Sequence, residues 1–179
     1  MSRTMIIVGS VRPGRIGLPI AQWVQERAVA AGLEVDFADL AEINLPFLDE
    51  AEIPELNRPP QKSHTQEWSQ RVKSATSIIL ICPEYNHGYS PALKNALDYL
   101  FTEWHRKLVG VVSYGGLSGG TRAANALEPV LAFLGMIRTL ENAALPHAGQ
   151  RVVDGRFEAS ERDEKQLAPV LAELVAGLN

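Results

Sequence analysis

The sequence predicts an α/β fold: a doubly wound, open parallel sheet with helices on both faces. Two observations predict it. Short apolar, β-favouring runs alternate with helical patterns along the chain, and the central runs are almost continuously apolar, as strands become when helices cover both faces of a parallel sheet. A length of 179 residues suits one core, and a single domain spanning residues 1–179 is expected.

Strands are expected at Met5–Val8, Val35–Leu40, Ile78–Ile81, Leu108–Val112 and Ile137–Leu140, the last with the weakest pattern. Helices are expected between and after them, at Leu18–Ala31, Thr65–Ala75, Pro91–Phe101, Thr121–Leu134 and Glu161–Leu178. Ser63 with Gln66 reads as a capping box, and Ser90 before Pro91 as an N-cap followed by proline at the first helical position. Gly32 and Gly135 stand where helices should stop. Pro129 is expected to kink or split the fourth helix. Between Asn44 and Ser63 the chain holds Pro46, Pro54, Pro59 and Pro60 and reads as a long surface connection. Val152–Phe157, with Asp154-Gly155 at its centre, reads as a small hairpin.

Composition narrows the function classes. The chain is 46% hydrophobic and 21% charged, without an apolar run of about 18 residues that would span a bilayer. The net charge is −4, with both signs interspersed, which argues against a nucleic-acid surface; Trp23, Trp68 and Trp104 are therefore expected in core or interface packing. Cys82 is the only cysteine. It makes an intrachain disulfide impossible and, at the end of an apolar strand, reads as a buried small hydrophobe. Met1–Ile7 lacks the longer apolar segment of a secretory signal, so a cytoplasmic protein is expected. His64, His87, His105 and His147 are scattered and match no metal-ligand spacing, and no G-x-S-x-G elbow is present. No metal and no membrane are expected, and the partner is expected to be a small molecule.

In an open α/β sheet, ligands bind beyond the carboxyl ends of the strands, near the point where strand order reverses. Three loops at such ends stand out. Gly9-Ser10-Val11-Arg12-Pro13-Gly14-Arg15-Ile16-Gly17 runs straight into a helix, where free amides, the helix dipole, the Ser10 hydroxyl, Arg12 and Arg15 suit a phosphate. It is neither G-x-G-x-x-G nor a P-loop, so a monophosphate fits better than a dinucleotide or ATP; a glycine-rich turn with two solvated arginines is the alternative. Pro83-Glu84-Tyr85-Asn86-His87-Gly88-Tyr89-Ser90-Pro91 could lay backbone amides along a flat ring with Tyr85 or Tyr89 as a wall, or could simply cover the core edge. Ser113-Tyr114-Gly115-Gly116-Leu117-Ser118-Gly119-Gly120-Thr121 has four glycines, which allow close approach of a ligand or mere flexibility.

Together these residues resemble the NAD(P)H-dependent FMN reductases, a family that includes quinone, chromate and azo-dye reductases. The resemblance covers roughly residues 4 to 140. It rests on Gly9-Ser10-x-Arg12, on Pro83-Glu84-Tyr85-Asn86 followed by Leu93-Lys94-Asn95-Ala96-Leu97-Asp98, and on Ser113-Tyr114-Gly115-Gly116, with Glu103-Trp104 marking one branch. It implies a flavodoxin-like three-layer α/β/α fold with a five-stranded parallel sheet in the order 2-1-3-4-5. It further implies that Ser10, Arg12, Arg15, Ile16 and Gly17 hold the FMN phosphate, that Pro83, Glu84, Tyr85 and Asn86 line the isoalloxazine, and that Ser113, Gly115 and Gly116 close its other edge. Many relatives carry a further Ser, Thr or Asn in the phosphate loop, where this chain has Arg15, Ile16 and Gly17.

The function so implied is an FMN-dependent oxidoreductase that takes hydride from NADPH or NADH and passes electrons to a quinone, flavin or similar small acceptor in a ping-pong sequence. The chemistry belongs to FMN, and no catalytic side chain is assigned. A flavodoxin-like electron carrier, or an FMN-dependent protein-binding module, is the competing class; the arginines of the first loop and the mild net charge favour the reductase. A homodimer or dimer of dimers is expected from the resemblance, with the residues near Leu100 and Trp104 suited to an interface or to a core.

Overall fold

The computed structural model describes residues 3–177. The expected helix end at Leu178, and Met1 and Ser2 of the N-terminal segment, lie outside the described residues. Along the chain run β1 (Arg3–Val8), α1 (Gly17–Ala30), β2 (Glu34–Asp39), a short α2 (Leu40–Ile43), α3 (Ser63–Ser74), β3 (Ser77–Pro83), α4 (Pro91–Asp98), β4 (Leu108–Gly115), α5 (Thr121–Phe133), β5 (Ile137–Arg138), β6 (Ala143–Pro146), β7 (Val152–Val153), β8 (Arg156–Phe157) and α6 (Glu161–Ala176). The main sheet has the order β2-β1-β3-β4-β5, with β6 also on β4, and its pairs are parallel.

Period-two alternation of apolar side chains divides the core. Ile6, Val8, Ile79, Ile81 and Val112 pack under α1 and α6, whereas Met5, Ile7, Ile78, Leu80, Val109 and Val111 pack under α3, α4 and α5. The strand order reverses between β1 and β3, so their carboxyl ends open a crevice where the first and third loops emerge.

The sheet order and the first four strands follow the sequence reading; the fifth does not. Ile137–Arg138 pairs with Leu108 and Val109, the chain leaves the edge through residues 140–142, and Ala143–Pro146 returns to pair with Val112–Gly115. The departure has a local cause: the Leu140 N–H donates to the Glu173 carboxylate of α6 at 3.0 Å, and the Leu140 side chain, expected in a strand, is 90% exposed. Pro129 lies within α5 without splitting it. It sits on the exposed side, and burial of Ala123, Ala124, Leu127 and Leu131 on the opposite side carries the helix past the missing amide.

Ser63 is the first residue of α3 and not its cap. The N-cap is Lys62, with no side-chain cap; the Glu50 carboxylate instead accepts from the Lys62 and Gln61 amides at 2.9 and 3.2 Å, and Gln66 donates to the Pro60 carbonyl. Ser90 does cap α4, Gly32 and Gly135 have positive φ at helix ends, and β7 and β8 form the expected hairpin. A capping box that the sequence reading missed joins Ser160 to Asp163 at the start of α6.

Candidate functional site

The first loop begins at a forced glycine. A Cβ on Gly9 would stand 2.8 Å from the Ile81 carbonyl oxygen, the atom to which the Gly9 N–H donates. The Gly9 carbonyl accepts from the Ser90 hydroxyl, which itself accepts from the Leu93 N–H at 3.2 Å, so one serine ties this loop to the cap of α4. The chain then turns through Gly14 at φ +67° into α1, whose N-cap Ile16 makes no side-chain cap and whose first turn holds no acidic residue. The positive end of a 14-residue helix is thus left to an anion. Arg12, in the loop that leads into it, is exposed. Arg15 is held back: its guanidinium donates both nitrogens to the Asp39 carboxylate at 2.5 Å and one of them to the Ser10 carbonyl at 2.7 Å.

Numbered by the strands they follow, the loops after β3 and β4 are the third and the fourth, and the third is a tight turn. Tyr85 and Gly88 exchange backbone bonds of 2.8 and 3.0 Å across Asn86 at φ +49° and His87 at φ +69°, the two positive φ values of a type I′ connection. The Glu84 amide donates to the Tyr114 carbonyl at 3.1 Å, so two amides that the sequence reading laid along a ring already have protein partners. Those at the tip, Asn86 and His87, are exposed.

The Glu84 side chain, 10% exposed, also turns inward. It accepts from the Ser118 hydroxyl at 3.0 Å, the Arg122 amide at 3.2 Å and the Arg122 guanidinium at 3.3 Å, joining the third loop to the start of α5. Burial alone would raise its carboxyl, but the Ser118 and Arg122 donors prevail and hold it below the usual range. A depressed folded-state value means stabilisation that is present at neutral pH and lost as pH falls through that value. Glu84→Gln is therefore expected to cost about 1–2 kcal/mol at pH 7. That penalty should shrink below about pH 4; urea unfolding of both proteins across that window tests it, and a penalty independent of pH rejects it.

In the fourth loop Ser113 is buried, and its hydroxyl donates to the Gly119 carbonyl at 2.9 Å. It holds the loop instead of presenting a hydroxyl outward. The His147 amide, just past β6, donates to the carbonyls of Gly115 and Gly116 at 3.0 and 3.1 Å, a brace the sequence did not reveal. Gly116 differs from the other three glycines of the loop in that a Cβ there would meet nothing within 4 Å, and its φ is not positive. Folding does not require glycine at that position, which leaves open space for a ligand's approach.

Ser10 Oγ lies 2.5 Å from the Tyr85 hydroxyl, so Tyr85 reaches back to the phosphate-type loop and is not simply a ring wall. Beside the ring face of Tyr85 opens a groove of about 520 Å³, with Val11, Leu40, Pro46, Phe47 and Pro91 on its other sides. Cys82 is buried, and burial followed by the nearby Glu84 pushes its thiol up to about 12, so it stays protonated. Trp68 and Trp104 are core residues, donating to the Ala96 and Leu97 carbonyls, and Leu100 is 3% exposed. Leu100 and Trp104 thus belong to the core of one chain and are not available as an interface. Among the described residues no cluster of metal-ligating side chains occurs, and no helix is long and apolar enough to cross a membrane.

A 2-1-3-4-5 parallel sheet flanked by helices, with an uncapped helix end, a tight turn and a braced glycine loop at its carboxyl edge, defines a flavodoxin-like protein. Comparison makes the assignment specific. The model of the NADPH-dependent FMN reductase family matches residues 2–150, and the chain belongs to that family. An NAD(P)H-dependent FMN reductase of Schizosaccharomyces pombe is 33% identical over 167 residues, 92% of this chain and 83% of that one. An NAD(P)H-dependent FMN reductase of Saccharomyces cerevisiae is 38% identical over 138 residues, 70% of this chain and 71% of that one. Among solved structures, the flavoenzyme NAD(P)H:(acceptor) oxidoreductase of Paracoccus denitrificans superposes with a TM-score of 0.73 at 22% identity, covering 96% of this chain and 94% of that one, a likeness of fold.

Proposed function

We propose that residues 1–179 form one FMN-binding domain acting as an NAD(P)H oxidoreductase on small electron acceptors. The observation that carries this reading is the uncapped N-terminus of α1, preceded in the chain by Ser10 and Arg12 at the carboxyl end of β1. This donor set suits a phosphate monoester: the amides of Ile16 and Gly17, the Ser10 hydroxyl and the Arg12 guanidinium would hold it, with Arg15 stiffening the loop through Asp39. Pro83 to Asn86 line one edge of the flavin ring. Gly115 and Gly116 form the other, and Ser113 keeps them in place.

Hydride acceptance from NADPH or NADH and reduction of a quinone, flavin or similar acceptor are the chemistry that FMN supplies when bound. The protein's part is to hold the ring, to offer backbone donors at its edge and to keep the groove beside Tyr85 apolar enough for a flat acceptor. Donor and acceptor use that groove in turn, so initial-rate plots should give the parallel lines of a ping-pong sequence; intersecting lines would remove it. The first experiment is anaerobic addition of NADPH or NADH to protein loaded with FMN and desalted. Retained flavin that bleaches supports the reductase. Retained flavin that stays yellow favours the electron carrier, and a protein that retains none refutes the cofactor assignment.

A homodimer, or a dimer of dimers, is the proposed assembly. Phe133, 66% exposed, and Ile53 and Leu56, each more than half exposed, offer unburied apolar surface for it, and Phe133 shares a groove with Pro54. A monomer mass by light scattering would exclude it. The single buried thiol and the electron donor both suit the cytoplasm, which is the proposed location.

A further inference from the structure

Residues 9–17 contain one hydroxyl, that of Ser10. Sheet adjacency brings two more close to it. Ser10 lies just past β1 and Tyr85 just past β3, while Tyr114 on β4 shares the face of Val112 that packs with α1 and α6; β1, β3 and β4 are adjacent, with Val8 opposite Ile81 and Pro83 opposite Tyr114. All three residues therefore stand at the carboxyl ends of neighbouring strands. Ser10 and Tyr85 are hydrogen-bonded at 2.5 Å. The Tyr114 oxygen stands 2.4 Å from where a Gly17 Cβ would lie, against the first turn of α1, and Tyr114 is 6% exposed. Burial raises its phenol, with the Ser10 hydroxyl pulling the other way, so the group remains a protonated donor.

Ser10 and Tyr85 share one hydrogen bond, and the Tyr114 hydroxyl carries a proton of its own. That proton is left over, at the positive end of a helix, where an anionic acceptor satisfies it. We propose that Tyr114, with Tyr85, supplies the phosphate cradle with the hydroxyl its first loop lacks: Tyr85 holds Ser10 Oγ, and Tyr114 presents a donor to a phosphate monoester at Gly17. The inference rests on the FMN reading above and assigns the phosphate end of that site to two side chains from β3 and β4.

The test compares FMN with riboflavin, which lacks the phosphate, by fluorescence titration of the full chain. Tyr114→Phe keeps the ring packed and removes only the hydroxyl. It is expected to raise the FMN dissociation constant about tenfold or more, as loss of a hydrogen bond to a charged group does, and to leave riboflavin binding unchanged. An unchanged FMN constant, or equal losses for both flavins, overturns the proposal. If circular dichroism shows that Tyr114→Phe is unfolded, Tyr85→Phe serves instead, with a smaller loss of about threefold confined to FMN; no change in the FMN-to-riboflavin ratio there overturns it as well. Wild-type protein that binds the two flavins equally takes down the phosphate cradle itself, and the role of the phenols with it.

Discussion

Gly120→Ala is expected to destabilise the protein by about 3 kcal/mol or more, a large share of the ~5–15 kcal/mol that holds a domain folded. Two costs add. Gly120 has φ +84°, where an L side chain loses about 1–2 kcal/mol. Its new methyl would also stand 2.6 Å from the Tyr114 nitrogen, 2.8 Å from the Tyr114 oxygen and 2.9 Å from the Ser113 Cβ. Two of those three atoms are backbone of a central strand and cannot yield cheaply, and overpacking of that kind adds about 1–3 kcal/mol. Because Gly120 precedes α5 and Gly115 packs on it, flavin retention should fall together with stability. Gly116→Ala is the contrasting variant: its Cβ meets nothing, so unfolding in urea should change by no more than about 0.5 kcal/mol, while FMN binding weakens because the methyl occupies the ligand's approach. Equal stability losses at the two positions would refute this account of the fourth loop.

Asp39→Ala is the second substitution with a large expected cost. The Arg15 side chain is 14% exposed and the Asp39 side chain 2%, and removing one member of such a pair leaves the other charge poorly solvated, at about 3–5 kcal/mol. Asp39 also accepts the Ala41 amide at 3.0 Å as the N-cap of α2, worth about 1 kcal/mol more. Arg15→Met alone strands the carboxylate and should cost a similar amount. The double variant should recover much of the loss, since neither charge is then left unpaired. A double-mutant cycle on urea midpoints would show a coupling of at least about 2 kcal/mol, and additive effects would mean that the pair contributes little. FMN affinity should fall in both single variants, because Arg15 also clamps the Ser10 carbonyl and so shapes the loop that receives the phosphate.

The two cases divide what is local from what is not. The four glycines around Ser113 and the arginines after Ser10 could be read as a ligand loop because their chemistry is contained in a few consecutive residues. Asp39 could not be singled out: it ends a strand 24 residues from Arg15, and nothing near it in sequence marks it as a partner. The same holds for Glu84, which looks like part of a ring-binding motif but spends its carboxylate on Ser118 and Arg122, 34 and 38 residues away. Ser63 and Gln66 had the spacing of a capping box, yet Glu50 from the preceding connection supplied the acceptor. Leu140 had the character of a strand residue until Glu173 of α6 captured its amide.

By itself the sequence determined the alternation of strands and helices and the three loops at strand ends, because hydrophobic periodicity and turn chemistry act over a few residues and survive without knowledge of the fold; the strand order was implied only by the family resemblance. Only the tertiary structure decided which way each polar side chain turns within those loops. It sent Arg15 to Asp39, Glu84 to α5 and Tyr85 to Ser10, and it spent Leu100 and Trp104 on the core. The physical reason is that a buried donor or acceptor must find a partner wherever the packed sheet places one, and that partner's position depends on strand register and helix docking, which no local pattern encodes.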